Sequence, residues 1–249
     1  MNAAAAAFVL APALALGSFL NVVVARVPAR QSLLRPPSSC GTCGSEILWR
    51  DNIPILSYVL LRGRCRHCAA PISATYPLVE AVTALLVVTC VAVYGPTAEA
   101  AFAAGFCAVL VTLSVIDARH RIVPDRIVLP AAGIALVAHT AIDPSLEWAL
   151  WSLLAAGGLF LVVLAYPKGL GLGDVKLALL LGAALGAAVT VALMIGLLAA
   201  LVPAAVLVRR HGASSARKMR VPLVPFLSLG AVLALFFGDA VLDAYLALF

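Results

Sequence analysis

The chain has 249 residues, of which 64% are hydrophobic and only 11% are charged, and its mean hydropathy is +1.11. This composition excludes an ordinary soluble globular protein and predicts a membrane protein. The net charge is +6, but no basic patch is interleaved with aromatic residues as in a nucleic-acid groove. We therefore expect a lipid bilayer, and no nucleic acid, as the surrounding partner.

Eight apolar segments have the length and composition of membrane-crossing helices, which need about 20 residues. The predicted helices cover residues 3–25, 76–94, 99–117, 125–142, 146–166, 174–187, 188–208 and 224–247. No polar residue separates the sixth segment from the seventh. We place a break near Gly186, because one continuous helix over both segments would be too long for a bilayer. The predicted fold class is an all-α polytopic membrane protein with about eight transmembrane helices.

The distribution of charge predicts the orientation of these helices. All 17 Lys and Arg residues lie on one side of an eight-helix topology, in segments 26–66, 119–126, 168–176 and 209–220. The opposite side carries five acidic residues and neither Lys nor Arg: Glu99, Asp143, Glu147, Asp239 and Asp243. The positive-inside rule then predicts a multi-pass protein of the cytoplasmic membrane, with the basic segments in the cytoplasm and both termini outside.

The one long polar segment contains two Cys-x-x-Cys pairs, Cys40 with Cys43 and Cys65 with Cys68. Cytosolic thiols stay reduced, so this pattern indicates metal binding rather than disulfides. Four thiolates match the tetrahedral coordination of structural zinc and leave no open position for catalysis. We therefore predict a small zinc-stapled cytoplasmic insert after the first helix.

The chain accordingly divides into three predicted parts. These are a first transmembrane helix over 1–25, a four-cysteine zinc-binding insert over 26–75 and a seven-helix transmembrane domain over 76–249. Two polar residues within the predicted helices need partners. Asn21 is expected to hydrogen-bond a neighbouring helix. Glu80, at the cytoplasmic end of its helix, is expected to cap backbone groups, pair with an arginine of the insert or face a cavity.

One stretch, residues 169–176, places a carboxylate directly after alternating glycines and before an apolar run. Asp174 follows Gly171 and Gly173. An ionisable residue at the edge of the hydrocarbon usually faces the protein interior or a water-filled cavity, and glycine lets another backbone approach closely. The simpler interpretation, a helix start with an acid near its positive end, is equally compatible with these residues.

A second carboxylate is available at the same predicted depth. Asp117 ends the apolar run 101–116 at the cytoplasmic end of its helix. Aspartyl hydrolysis needs two carboxylates that share one proton, one to take a proton from water and one to polarise the scissile carbonyl. Asp125 competes for this role, but its place after Pro124 at a helix start explains it as a cap. We therefore expect Asp117 to be the partner of Asp174.

Six ordered segments together resemble the bacterial prepilin leader peptidases, the GxGD class of aspartic intramembrane proteases. They are residues 17–22, the two cysteine pairs, residues 51–58, residues 76–80, residues 117–125 and residues 171–176; residues 222–226 resemble a seventh, looser motif. The resemblance implies cleavage of the leader from type IV prepilins or pseudopilins at the cytoplasmic face of the inner membrane. It implies catalytic roles for Asp117 and Asp174. Supporting roles fall to Gly171, Gly173, Lys176, Asp125 and Glu80.

The resemblance also implies a second activity, because many members with the cysteine insert methylate the new N-terminus with S-adenosylmethionine. No Gly-rich strand-to-helix nucleotide motif occurs in this sequence, so this expectation rests on the resemblance alone. The residues of the insert where we expect the methyl donor are Glu46, Asp51 and Asn52.

Two other functions fit the same residues. A polytopic ion-coupled transporter could hold Asp117 and Asp174 in a helix bundle, with helices broken at Gly171 and Gly173. A zinc-stapled membrane scaffold without chemistry would tolerate the loss of either aspartate.

Overall fold

A computed structural model describes residues 3–166, 170–212 and 221–247, and every regular element in that part of the chain is a helix. The α-helices are α1 (Ala3–Arg26), α2 (Leu56–Leu60), α3 (Thr75–Tyr94), α4 (Ala98–His120), α5 (Asp125–Ile142), α6 (Glu147–Ala165), α7 (Leu172–Leu185), α8 (Val189–His211) and α9 (Val224–Leu246). The predicted all-α class is confirmed. Gly169, Lys168 and the basic segment 213–220 lie outside the described residues.

Seven helical stretches of the described chain are long and apolar enough to cross a membrane. The sixth of them, Leu172–Arg210, is 39 residues long and contains both α7 and α8. A 3-10 turn over Gly186–Ala188 separates the two helices. Counted separately, they give eight helices of 14 or more residues in the described chain, which follow the eight predicted segments. The predicted break near Gly186 is confirmed.

The break has two local causes at Gly186. Its φ of +56° is in the left-handed region that side chains disfavour. A Cβ atom at this position would also lie 3.0 Å from the indole ring of Trp148 near the start of α6. That ring stacks on His139 near the end of α5, with ring centroids 3.8 Å apart. One end of α5, α6 and α7 is therefore held together around the turn.

The chain forms two compact units, Met1–Thr112 and Leu113–Phe249. In the first unit, α1 and α3 pack closely because Gly17 has no side chain; a Cβ atom there would lie 2.7 Å from the Cα atom of Glu80. The Asn21 side chain donates a hydrogen bond to a backbone carbonyl at the start of α3, at 3.1 Å, as predicted.

Small residues also bring helices together in the second unit. A Cβ atom at Gly182 of α7 would lie 2.5 Å from the Cα atom of Ser152 in α6. The Ser152 hydroxyl donates to the carbonyl of Leu179 at 2.7 Å, which satisfies its polar group inside the bundle. Likewise, Gly230 of α9 packs on the backbone of Ala192 in α8. These contacts fix the helices whose ends carry the candidate site.

Candidate active site and metal centre

Asp117 is buried near the end of α4, with 7% of its surface exposed. Its Oδ2 atom accepts a hydrogen bond from the backbone N–H of Val224 at 3.2 Å. Val224 is the first residue of α9, and the first N–H groups of a helix have no partner within the helix. Asp117 therefore caps α9, and the positive end of that helix stabilises a carboxylate at this position.

Asp174 is the third residue of α7 and is partly exposed. Its Oδ2 atom accepts a hydrogen bond from the N–H of Gly171 at 3.1 Å, and its own N–H donates to the Gly171 carbonyl at 3.1 Å. The simpler interpretation of this stretch, an acid at a helix start, is thus correct as a description of the geometry. The same geometry fixes the carboxylate in place.

Both predicted catalytic residues lie in the second unit. The carboxylates of Asp117 and Asp174 lie close enough to interact electrostatically. Neither forms a salt bridge with a cation among residues 3–166, 170–212 and 221–247. Arg121, just after α4, acts on the Asp117 carboxylate through its charge without forming a salt bridge. Two carboxylates held close together favour a state in which they share one proton, and acid–base hydrolysis requires that state.

The two glycines of the stretch have different surroundings. A Cβ atom at Gly173 would lie 2.9 Å from Cγ2 of Val123, in the connection between α4 and α5. At Gly171 the nearest atom would be an oxygen of Asp174, at 3.6 Å. The predicted close approach therefore occurs at Gly173, where another part of the chain fills the space. The backbone at Gly171 is extended and exposed.

Asp125 and Lys176 form an ion pair, with Nζ and Oδ1 2.6 Å apart. Their side chains are 56% and 36% exposed, so this pair lies at the surface of the unit. The sequence predicted a cap at Asp125. The carboxylate instead pairs with Lys176 of α7, while its place in the first turn still benefits from the positive end of α5.

The sequence indicates Asp117 through its acidic side chain, but it does not indicate the hydrogen-bond donor of that carboxylate. Residues 222–226 stand out in the sequence only as a loosely matching motif, whereas their backbone supplies the Val224 N–H to the carboxylate. A backbone donor leaves no side-chain signal. Two prolines, Pro222 and Pro225, flank the helix start and mark it in the sequence.

The four predicted metal ligands converge in the first unit. The sulfur atoms of Cys40, Cys43, Cys65 and Cys68 all lie within 4.8 Å of one another. The Cys40 and Cys68 sulfurs are 3.8 Å apart, the separation of about 3.8 Å expected for two thiolates bound about 2.3 Å from a tetrahedral zinc. Backbone hydrogen bonds from Cys43 and Thr42 lower the pKa of the Cys40 thiol to about 6. The residues present therefore fit a tetrahedral metal ion.

The two cysteine pairs lie in equivalent turns. In each turn, the N–H four residues after the first cysteine donates to the carbonyl of that cysteine: Gly44 to Cys40 at 2.8 Å and Ala69 to Cys65 at 3.0 Å. Gly44 and Ala69 both have positive φ, +70° and +56°. The sequence does not display this repeat, because Ala69 stands where such a conformation favours glycine.

A bidentate ion pair links the second cysteine turn to the middle of the insert. Arg66 Nη2 donates to Asp51 Oδ1 at 2.6 Å, and its Nε donates to Oδ2 at 2.9 Å. Hydrogen bonding from Arg66 lowers the pKa of the Asp51 carboxyl below its ordinary value. Asp51 is therefore already paired with a cation.

A cavity of about 550 Å³ lies in the first unit, between the insert and the adjoining ends of α1 and α3. Its lining includes Glu46, Asp51 and Asn52 of the insert, and Asn21 and Glu80 of the two helices. The structure thus brings the residues predicted for the methyl donor to one cavity. Glu80 is buried there and does not pair with an arginine of the insert in the described chain.

Comparison with known proteins adds to this geometry. Residues 12–94 match the family described as the bacterial peptidase A24 N-terminal domain. Residues 104–208 match the type IV leader peptidase family. The first match contains the cysteine insert and the cavity, and the second contains Asp117 and Asp174. No solved structure matches the chain.

Three curated relatives carry the same name, prepilin leader peptidase/N-methyltransferase. The Burkholderia pseudomallei (strain 1026b) protein is 36% identical over 93% of this chain and 85% of its own length. The Bacillus subtilis protein is 34% identical over 94% of each chain. The Myxococcus xanthus protein is 41% identical over 72% of this chain, and the aligned region spans only 55% of its own length. The chain therefore belongs to the type IV leader peptidase family.

Proposed function

We propose that this protein is an aspartic endopeptidase of the inner membrane that removes the leader peptide from type IV prepilins or pseudopilins. Asp117 and Asp174 are its catalytic pair. The proposal is supported by two carboxylates of the second unit that are each held by a backbone N–H and lie close enough for the charge of one to act on the other. Both lie in the region that matches the leader peptidase family. The names of the relatives support the substrate class.

The length of α7 supports a site below the membrane surface. Its 14 residues give a helix of about 21 Å, whereas the hydrocarbon core is about 30 Å thick. We place the rest of the crossing before α7, which puts Asp174 within the depth of the hydrocarbon. The exposed, extended backbone at Gly171 then lies where an unwound substrate segment has to enter. The basic segments, and with them this end of α7, are assigned to the cytoplasm.

The proposed reaction uses the shared proton of the pair. The ionised carboxylate takes a proton from a water molecule, whose oxygen attacks the scissile carbonyl carbon. The protonated carboxyl gives its hydrogen bond, and then its proton, to the carbonyl oxygen. Collapse of the tetrahedral intermediate breaks the C–N bond. The departing amine takes up the proton that the first carboxylate removed from water, and one hydroxyl of the intermediate returns its proton to the second carboxylate. The N–H groups of Val224 and Gly171 fix one oxygen of each carboxylate and leave the other for this chemistry.

A cleavage assay with a co-expressed prepilin tests this assignment. Asp117→Asn and Asp174→Asn should each abolish leader removal, because either change leaves a pair unable to share one proton. Asp143→Asn, at an exposed acid after α5, is the matched control and should cleave like wild type. Asp125→Asn should retain cleavage within about tenfold, because its carboxylate holds only a surface ion pair. Cleavage by a folded Asp117→Asn or Asp174→Asn protein would exclude Asp117 and Asp174 as the catalytic pair.

A second activity, N-methylation of the cleaved product, is proposed for the first unit. The relatives' names include this activity, and the cavity has a size typical of small-molecule sites. The new terminal amine would attack the methyl carbon of S-adenosylmethionine. The C–S bond breaks with its electrons left on sulfur, and the amine loses a proton to water. The mass of a processed prepilin reports the cut site and an added methyl group together.

Zinc in the four-cysteine centre is proposed as a structural ion. The spacing of the sulfur atoms fits it, and four thiolates leave no position for a substrate. The division into helix 1–25, insert 26–75 and transmembrane domain 76–249 likewise stays a proposal. An ion-coupled transporter or a non-catalytic scaffold would leave co-expressed prepilins uncut, so the cleavage assay separates the peptidase from both alternatives.

A further inference from the structure

We propose that Glu80 recognises the positive charge of the methyl donor, by placing its carboxylate against the sulfonium in the cavity of the first unit. The inference rests on the proposed methyltransferase activity and adds a specificity-determining residue to it. The ligand class is an adenosyl compound with a positive centre beside the ribose.

The position of Glu80 is fixed from two sides. It lies in the second turn of α3 with 7% of its surface exposed, and it lines the cavity. Gly17 lets α1 approach its backbone closely, and the Ser18 hydroxyl of α1 interacts with the carboxylate. A carboxylate held this firmly loses little conformational entropy when it meets a ligand.

Glu80 also holds the middle of the insert. Its Oε2 atom accepts a hydrogen bond from the N–H of Ile55 at 2.7 Å. Ile55 has φ +61° and ψ −50°, a conformation that a β-branched residue rarely adopts. The carboxylate therefore anchors a strained turn that lines the same cavity. This contact ties the shape of the cavity to Glu80.

The partners of Glu80 are neutral, whereas the arginines that line the cavity are engaged elsewhere. Arg26 donates to backbone carbonyls of residues 32, 33 and 36, and Arg66 holds Asp51. The Glu80 carboxylate is thus not paired with a cation of the described part of the first unit. A buried carboxylate favours a positive partner, and the sulfonium is the positive centre that distinguishes S-adenosylmethionine from its demethylated product.

The other acids of the cavity are weaker candidates for this contact. Asp51 is already neutralised by the bidentate pair with Arg66. Glu46 is exposed to solvent, where water screens its charge. Glu80 is the acid of this cavity that combines burial with neutral partners.

Ligand binding to the purified full-length protein tests the inference. Dissociation constants are measured for S-adenosylmethionine, for the neutral S-adenosylhomocysteine, and for sinefungin, whose amine replaces the sulfonium. In wild type, the dissociation constants of both positive ligands should be lower than that of the neutral one by about tenfold or more. This is expected for a charge-assisted contact in a partly buried site. In Glu80→Gln that preference should disappear. Glu99→Gln, at an exposed acid of the same unit that does not line the cavity, should keep it.

Other outcomes overturn the proposal in distinguishable ways. Equal binding of all three ligands by wild type, or a preference that survives in Glu80→Gln, would mean that Glu80 serves only to anchor Ile55. Wild type that binds none of them but still cleaves prepilins would remove the methyl-donor site and leave the protease intact. If Glu80→Gln does not fold, the ligand series on wild type still tests the proposal. Equal binding of the three ligands by wild type would overturn it.

Discussion

At the scale of single residues, the candidate site depends on backbone donors that hold two acids. Asp117 accepts a hydrogen bond from the N–H of Val224, which belongs to another helix. Asp174 accepts one from the N–H of Gly171, which directly precedes α7. Sequence reasoning could identify both acids, because ionisable residues are rare in apolar segments. It could not identify Val224, whose contribution is made by the main chain.

Replacement of Val224 by proline tests the backbone donor. Val224→Pro removes the N–H, while proline is well tolerated at the first position of a helix. Loss of a hydrogen bond to a charged group corresponds to about 1.5–3 kcal/mol, so leader cleavage should fall roughly tenfold to a hundredfold. Val224→Ala is the control because it shortens the same buried side chain but keeps the N–H. Equal rates for the two variants would show that this donor does not position Asp117.

The contact between Gly173 and Val123 gives a second test. In Gly173→Ala, the new methyl carbon would lie 2.9 Å from Cγ2 of Val123. The start of α7 must therefore shift. Cleavage should fall by about tenfold or more, because small displacements of catalytic groups are expensive. Adding Val123→Ala should restore part of the rate. Gly133→Ala, at a helical glycine with open space around it, is the control and should leave the cleavage rate unchanged. A wild-type cleavage rate in Gly173→Ala would contradict this prediction.

At the scale of elements, the helix bounds were largely predictable and the surroundings of the breaks were not. Long apolar runs with charged or proline-containing borders determine where the long helices begin and end, as at Asp125 and Val224. The end of α7 was predicted only because one continuous helix over both apolar segments would be too long for a bilayer. Its physical causes, the positive φ of Gly186 and the ring of Trp148, depend on tertiary contacts that a single sequence does not display.

The turn between α7 and α8 should therefore be intolerant of side chains. Gly186→Val puts a β-branched residue at φ +56° and into the ring of Trp148. We expect the free energy of unfolding to fall by about 1–3 kcal/mol, measured by denaturation of the purified protein in detergent. Gly158→Ala is the comparison, because a Cβ atom there meets nothing within 4 Å. If both variants unfold like wild type, the turn is not strained by this change.

The cysteine insert makes an equally direct prediction about metal content. Wild type should contain one zinc ion per chain by elemental analysis, and Cys40→Ser should lose most of it, because three thiolates bind the ion less tightly than four. Cys107→Ala removes a thiol buried in α4, away from the cluster, and should keep the metal. Full zinc occupancy in Cys40→Ser would show that the four sulfurs are not its ligands.

At the scale of the whole molecule, the helix number and the distribution of charge support one another. If residues 172–210 crossed the membrane once, the basic segment after α8 would lie opposite the other three. The break at Gly186 is compatible with the predicted placement of all four basic segments on one side. Eight predicted crossings thus agree with the eight longer helices of the described chain and with the charges of the sequence. The cavity of the first unit was not predictable, because it arises from contacts between an irregular insert and two helix ends.

The most direct test of the central claim is leader cleavage in membranes by wild type and by the single variants Asp117→Asn and Asp174→Asn, with protein level and folding matched. The account predicts processed prepilin from wild type and none from either variant. Processing by either variant at the wild-type rate would contradict it.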